Sequence, residues 1–458
     1  MRRLARLVAI AAVLAPAPAA ALPAVLVGAA PAKLRNHRSH LVVVQDGART
    51  TLSLQLDVLA VPMDLAIVLP IPGEVDPDSL HALDRRLFER LDALAAPRLE
   101  HVWEQNPCLL HPPPKPVRTA PGPGYPGWPR EHPRPTALAD GEYDFAVLGR
   151  VGAGELETWL RERGFPMTDA HHAALAEHFT AGAQFVVARV DRRQVFFNAR
   201  GQAVLSPFRV AFQADPDWRL PLRAGLGHSL GAQDVVIHAI AHGRRISLDP
   251  PPATASGELD VLPIAADRFA DVHAAVFTAA LASTATRGLV EHAAPLAEGL
   301  LATEELAALG LSGAADDLVL SRLHLHYAPA DLADDPRLAT VPADHDLQLR
   351  YLVRHPWPTK TRCAAPRHDV WGPPPDGAAP DVAVNRHVHS MSRADPVADL
   401  TPYLAADVPA LELHAAPASG CAIDPSGSTS SSRDVAFAGL LALALRRRRS
   451  ARRPAACE

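Results

Sequence analysis

A chain of 458 residues with 48% apolar and 21% charged side chains has the composition of a globular protein long enough for two or three domains. Its net charge is −5 and almost all of its basic clustering sits at the two ends, in Arg2-Arg3 and Arg446–Arg449, so the body lacks the basic patch that nucleic-acid binding needs. Alanine, arginine, proline (45) and histidine (22) are abundant throughout, so His pairs are expected by chance.

In chain order, residues 1–21 read as a secretory signal peptide. Arg2-Arg3 supplies the positive start, Leu7–Leu14 the apolar segment, and Ala19-Ala20-Ala21 the small residues for cleavage near Ala21. The apolar run is too short to span a ~30 Å bilayer. Residues 22–106 read as a β-meander followed by a helix. His40–Gln45 is apolar, Asp46-Gly47 marks a hairpin, and Leu52, Leu54, Leu56 and Val58 alternate with polar residues, predicting a sheet with one buried face. A third strand, Asp64–Leu69, is expected to stop at Pro70. A helix is expected to open at Asp78-Ser79 and to end before Pro97.

Residues 107–139 form a Pro-rich linker or insertion: 11 of the 29 residues from Pro107 to Pro135 are proline, and each removes a backbone donor. The α+β region 140–250 is predicted to hold a strand at Glu142–Leu148 and a helix carrying Leu156, Trp159 and Leu160. A second helix capped by Thr168 follows, then strands at Gln184–Val190, Ala203–Phe212 and Asp234–Ala241. Residues 251–372 read as helical and mixed, with helices at Ala265–Leu281, Thr303–Leu309 and Asp317–Tyr327 and a strand at Gln348–Val353. A low-complexity tail (373–434) and a hydrophobic, Arg-rich segment (435–458) complete the chain. The predicted fold class is α+β, mainly antiparallel sheet with packed helices, a Pro-rich insertion and a flexible C-terminal tail.

Gly227-His228-Ser229-Leu230-Gly231 fits the G-x-S-x-G pattern of hydrolase nucleophile elbows. An elbow needs a helix after the serine, whereas Gln233–Ile237 is β-type, so the segment reads as a turn. His171, His172 and His178 fall on one helix at spacings too long for a shared metal, and His238 and His242 lie about 13 Å apart along one strand. The His324/His326 and His387/His389 pairs lack an evident third ligand and read as solvated pairs. The acidic groups Glu155/Glu157, Asp316-Asp317 and Asp334-Asp335 carry no catalytic spacing. With no dinucleotide glycine fingerprint, phosphate loop or CxxC, no cofactor, metal or catalytic residue is expected. Cys108 and Cys363 are either joined in an oxidising compartment or separate thiols; spacing does not decide, and the bonded form is the expectation carried forward.

Several segments in shared order resemble one family, the bacterial domain of unknown function numbered 2330, in the form found in myxobacterial exported proteins. They are Lys33–Asn36, Gln45-Asp46-Gly47, Leu69–Pro72, Arg86-Leu87-Phe88, Ala96–Leu99, Trp103–Cys108 and Glu142-Tyr143-Asp144 with Thr158-Trp159-Leu160. Leu205–Arg209, Ser229–Asp234, Ser321–His324 and Arg354–Trp357 follow, so that the resemblance spans residues 22–372. It implies an exported protein with no assigned activity, cofactor or catalytic residue. Gly420-Cys421, a Ser-rich spacer, apolar Val435–Leu445 and Arg446–Arg449 resemble a MYXO-CTERM sorting tail. That resemblance implies processing near Cys421, attachment to the surface, and sorting and processing machinery at the membrane as the partner.

The reading is therefore an extracytoplasmic envelope or cell-surface protein with a structural or binding role. The alternative is an exported hydrolase using Ser229 or an unrecognised carboxylate pair.

Overall fold

The computed structural model describes residues 22–29, 34–59, 64–109, 141–197, 203–214, 218–228, 232–256, 258–284, 286–311, 317–343, 345–374, 396–405 and 412–414. In chain order the first elements are β1 (Val25–Gly28), β2 (Arg35–Asp46), β3 (Arg49–Leu59), β4 (Leu65–Ile71), β5 (Gly73–Ala82), α1 (Arg85–Ala95) and β6 (Arg98–Glu104). After the Pro-rich segment come β7 (Tyr143–Leu148), α2 (Ala153–Glu162), α3 (Asp169–Thr180) and β8 (Gln184–Val190). The short strands β9 (Phe196–Phe197) and β10 (Ala203–Val204) lead to β11 (Phe208–Ala214), a 3-10 turn at Leu222–His228, β12 (Gln233–His242) and β13 (Arg244–Asp249). Next are β14 (Ala253–Ser256), β15 (Glu258–Val261), α4 (Phe269–Thr284), β16 (Gly288–Pro295), α5 (Thr303–Ala308) and β17 (Leu318–Tyr327). The last are β18 (Arg337–Pro342), β19 (Leu347–Gln348), β20 (Arg350–His355), β21 (Trp371–Gly372) and β22 (Glu412–His414).

A ten-stranded sheet is the spine, in the order β22-β14-β16-β17-β12-β2-β3-β11-β5 with β19 paired to β16. Most of its pairings are antiparallel, while β12 with β2 and β14 with β16 are parallel. A four-stranded sheet, β1-β4-β8-β7, packs on one face. The core between them holds Leu26, Ile67, Leu69, Val186 and Ala188 from the small sheet against Leu41, Leu52, Leu54, Val235, Ile237 and Leu323 from the large one. The outer face of the small sheet is closed by Leu156 and Leu160 of α2 and Leu175 of α3. The fold is thus α+β and mainly antiparallel.

The alternation of Leu52, Leu54, Leu56 and Val58 correctly marks one buried face of β3, but the polar face is buried as well: Thr51, Ser53 and Gln55 are all nearly inaccessible. Helices α1 and α5 and the turn after α5 cover that side. Gly310, at φ +88°, comes so close that a Cβ there would lie 2.4 Å from the Thr51 hydroxyl. Glycine is required there for both conformation and space.

Three expectations change. The stretch opening at Asp78 continues strand β5 instead of starting a helix. Helix α1 begins only after Asp84, whose carboxylate accepts the Arg86 N–H at 2.9 Å as its N-cap. Pro70 does not stop its strand, because β4 runs to Ile71. The helix expected at Asp317–Tyr327 is strand β17, central in the large sheet and buried along almost its whole length. The hairpin at Gly47, the Thr168 cap of α3, and strands β8 and β12 lie where the sequence placed them.

A third sheet, β15-β20-β6-β21, packs against α4 through Leu99, Val261, Phe269, Val272, Tyr351 and Val353. Strands β6 and β20 are parallel neighbours, so the chain leaves both at the same end of the sheet. That geometry brings Cys108 and Cys363 together in a disulfide with Cα atoms 5.6 Å apart.

Candidate functional site

The large sheet carries a band of charged and imidazole side chains on the face opposite its main core. On β12, Val235, Ile237 and Ala239 enter the inter-sheet core. Asp234 and His238 take the other face, since strand side chains alternate. Strand β17 contributes Arg322 and His324 in the same way, β2 contributes His40, and α1 contributes Asp92 one turn beyond Phe88. In β16 the pairing shifts between Val290 and His292, so Glu291 is the extra residue of a β-bulge. A bulge re-aims a side chain, and here it brings the Glu291 carboxylate to Arg322 and His324. His273 arrives from α4. Asp234, His238, His273, Glu291, Arg322 and His324 all have zero relative exposure.

The contacts form two linked halves. In one, His40 Nε2 lies 2.6 Å from His238 Nδ1, a direct hydrogen bond between imidazoles. His238 Nε2 faces Asp92 at 3.9 Å, and the Arg322 Nε donates to the same carboxylate at 3.2 Å. In the other half, Glu291 Oε1 lies 3.1 Å from both His324 Nδ1 and His273 Nε2. His324 Nε2 is 2.7 Å from Asp234 Oδ1, and His273 Nδ1 is 2.8 Å from the Tyr351 hydroxyl. Arg322 joins the halves by pairing with both Asp92 and Glu291.

Burial dominates the electrostatics. It pushes His238 and His273 well below the usual histidine range, helped by the Arg322 charge, and lowers His324 against the pull of Asp234. Arg322 itself is lowered to about 9 by burial, with Asp234 acting in the opposite direction. A guanidinium enclosed with carboxylates stays charged at neutral pH, so the band is a buried ion network in which His238, His273 and His324 are held toward the neutral form.

The donors fall into two trios, His40/Asp92/His238 and His273/Glu291/His324. The first has its two imidazoles hydrogen-bonded to each other at 2.6 Å, closer than two ligands of one ion stand. In the second, Glu291 Oε1 stands 3.1 Å from each imidazole nitrogen, within hydrogen-bond reach of His324 Nδ1, and the three donors lie within 4.8 Å of one another. All of these groups are sealed from solvent, so the arrangement suits holding structure or an ion rather than turning over a diffusing substrate. A cavity of about 510 Å³ elsewhere is lined by Pro77, Leu80, Tyr143, Asp144, Phe145 and Val147. Its polar groups are already engaged: Tyr143 donates to the Ser206 carbonyl and Asp144 pairs with Arg189.

His324, expected to be solvated, is instead fully buried and meets Glu291, Asp234 and His273 from other strands and a helix. Folding supplies the partners that its own neighbourhood lacks. His238 is buried in this band while His242 is exposed at the strand end. His171 and His178 do not converge: His171 neighbours His228, and His178 sits 3.7 Å from Asp335. Glu155 accepts the Gly152 N–H at 2.9 Å as part of a helix cap. Ser229, His387, His389, Asp316, Cys421 and Ala21 lie outside the described residues. The segment before Ser229 is a 3-10 turn and the segment after it is β12, with no helix at Gln233.

His228, beside that serine, has a structural task. Its Nε2 accepts the Leu26 N–H of β1 at 2.9 Å, so it must be neutral, and burial lowers its pKa to about 4. Because the folded pKa lies below the unfolded value of 6.5, the unfolded state binds the extra proton first. The His228 contribution is complete above 6.5 and is lost as pH falls toward 4, about 3 kcal/mol in all. Asp335 acts in the opposite sense: raised to about 6 by burial, it favours the fold in acid and loses that effect as pH rises through its folded value. The comparison with His228→Gln, which keeps an acceptor without titrating, therefore isolates the histidine. Urea midpoints should show a steeper acid loss in the wild type than in the variant between about pH 6.5 and 4. Parallel curves would contradict this role.

With fold and site in view, this is an α+β protein built on one large mixed sheet, with an enclosed ion network. Residues 16–339 match the model of the family described as "Uncharacterized protein conserved in bacteria (DUF2330)", and the chain belongs to that family. Among curated proteins none matches the chain. The crystal structure of baculovirus P35 is similar over 48% of this chain and 67% of that one, at 10% identity and a TM-score of 0.24, a likeness too slight to bear on fold or activity.

Proposed function

We propose that this protein is an exported, non-enzymatic component of the cell envelope or surface with a structural or binding role. The observation that carries this is the Cys108–Cys363 disulfide, which ties loops 255 residues apart. Such bonds persist in oxidising compartments and are rare where thiols are kept reduced. The apolar, arginine-led residues 1–21 supply an export signal of fitting length. The enclosure of the titratable band supports a non-catalytic role, since among the described residues its members are closed off from solvent.

The C-terminus completes the reading. The apolar run Val435–Leu445 is about 16 Å long as a helix, half of a ~30 Å hydrocarbon core. It serves as a transient hold, with Arg446–Arg449 on the cytoplasmic side, until processing near Gly420-Cys421 leaves the body attached outside. Among the described residues no helix is long and apolar enough to cross a membrane.

Fractionation of cells expressing the whole chain tests this. The protein should appear in the envelope fraction and be cleaved by protease added to intact cells, and deletion of residues 2–21 should move it to the cytosol. Full-length protein in the cytosol with the leader intact would overturn the reading.

A further inference from the structure

We propose that His273, Glu291 and His324 bind one divalent transition-metal ion, with zinc favoured by the donor set, as the three protein ligands of a buried site at the centre of the fold.

The first support is distance. Glu291 Oε1 stands 3.1 Å from His273 Nε2 and 3.1 Å from His324 Nδ1, and the three donors lie within 4.8 Å of one another. Zinc bonds of about 2.0–2.2 Å in tetrahedral geometry place neighbouring ligands roughly 3.3 Å apart. The second support is the outer shell. Metal-bound imidazoles characteristically donate their other ring N–H to a carboxylate or similar acceptor. His324 Nε2 has Asp234 at 2.7 Å, and His273 Nδ1 has the Tyr351 oxygen at 2.8 Å. The Asp234 carboxylate accepts from His324 Nε2 and so leaves the Nδ1 lone pair facing Glu291 Oε1, and when the Tyr351 hydroxyl accepts from His273 Nδ1 the Nε2 lone pair faces the same oxygen. In that tautomer the three electron-rich atoms repel unless a cation lies between them. His273 Nε2 is buried and makes no hydrogen bond despite its nearness to Oε1, as expected of an atom that serves an ion instead.

The third support is how the ligands are held. Glu291 is turned into place by a bulge, and its other oxygen is held by Arg322, leaving Oε1 for a single bond to the ion. His273 and His324 are nearly parallel rings, 17° apart, with Phe277 against His324. Two imidazoles and a carboxylate suit zinc better than the oxygen-seeking magnesium or calcium. Sealed from solvent, the ion would pin α4, β16 and β17 together, the three elements that carry its ligands.

The test needs no knowledge of where the protein resides, so its outcome is separate from the export reading. The full chain is purified, stripped with a chelator at neutral pH, dialysed against zinc and analysed by elemental mass spectrometry. Cobalt replacement provides the optical signature of a nitrogen- and oxygen-ligated ion. About one zinc per chain and a melting temperature that rises with zinc are expected. Glu291→Gln should lose the ion. Tyr351→Phe, which keeps the ring and removes only the outer-shell oxygen, should weaken binding about tenfold in a folded protein. A folded wild-type chain that retains no stoichiometric metal and gains no thermal stability from zinc would overturn the proposal. So would nitrogen-15 spectra showing both His324 nitrogens protonated, since a proton would then stand where the ion is placed.

Discussion

Arg322→Met should be among the most damaging single substitutions in this protein, lowering its stability by about 3–5 kcal/mol. The arginine is fully buried and pairs with both Asp92 and Glu291. Methionine fills similar space but leaves two carboxylates enclosed without their countercharge. Most of the loss comes from that stranded charge rather than from the pairing itself, because a buried ion pair gains little over an apolar replacement. Partial rescue should follow: adding Asp92→Asn to Arg322→Met should recover stability, whereas Asp92→Asn alone should destabilise. Urea midpoints for the four proteins form a double-mutant cycle. Additive losses would show that the band is not coupled as its geometry indicates.

Removal of the disulfide ranks beside it. Cys108→Ser with Cys363→Ser should cost about 2–5 kcal/mol, toward the upper end because the closed loop is long. The residues are 255 positions apart, so the bond constrains more than half of the unfolded chain. In the folded state it ties the exits of β6 and β20, where the Arg367 N–H also donates to the Pro107 carbonyl at 2.9 Å. Wild-type protein in reducing agent should match the double variant in denaturant midpoint, and the variant should not respond to the reductant. Equal midpoints for the oxidised wild type and the variant would contradict a stabilising crosslink.

Local pattern carried as far as the hairpin and the capped helices. Leu52, Leu54, Leu56 and Val58 alternate because one face of β3 enters the inter-sheet core, and Thr168 before α3 is a cap that sequence alone suggests. Strand β17 defeats the same reasoning. Leu318–Tyr327 is buried on both faces, so its leucines and valine are consecutive as well as alternate, and no period of two survives. The helix expected at Asp78 shares leucines with α1, but Leu80 belongs to an edge strand and the cap is Asp84.

The ion network was hidden for another reason. Its members come from α1, α4 and strands β2, β12, β16 and β17, and Asp92 meets Arg322 across 230 positions. A signal was present nonetheless. Arg322 and His324 interrupt the apolar run of β17, Asp234 and His238 bracket Val235-Val236-Ile237, and Glu291 follows Gly288-Leu289-Val290. Charged or imidazole groups set within apolar runs are almost always paired when buried, so each marked a partner still to be found. The pairing itself depends on strand order and on the bulge at Glu291, which one sequence does not display.

Export to the envelope is tested by intact-mass analysis with non-reducing peptide mapping of the protein taken from the envelope fraction of its own cells. An exported protein should show a mature chain beginning between Ala20 and Leu22, a linked peptide pair containing Cys108 and Cys363, and no residues from Arg446 to Glu458. A chain that begins at Met1, carries two freely alkylated thiols at Cys108 and Cys363, and retains an unmodified Cys421 with its arginine tail would contradict it.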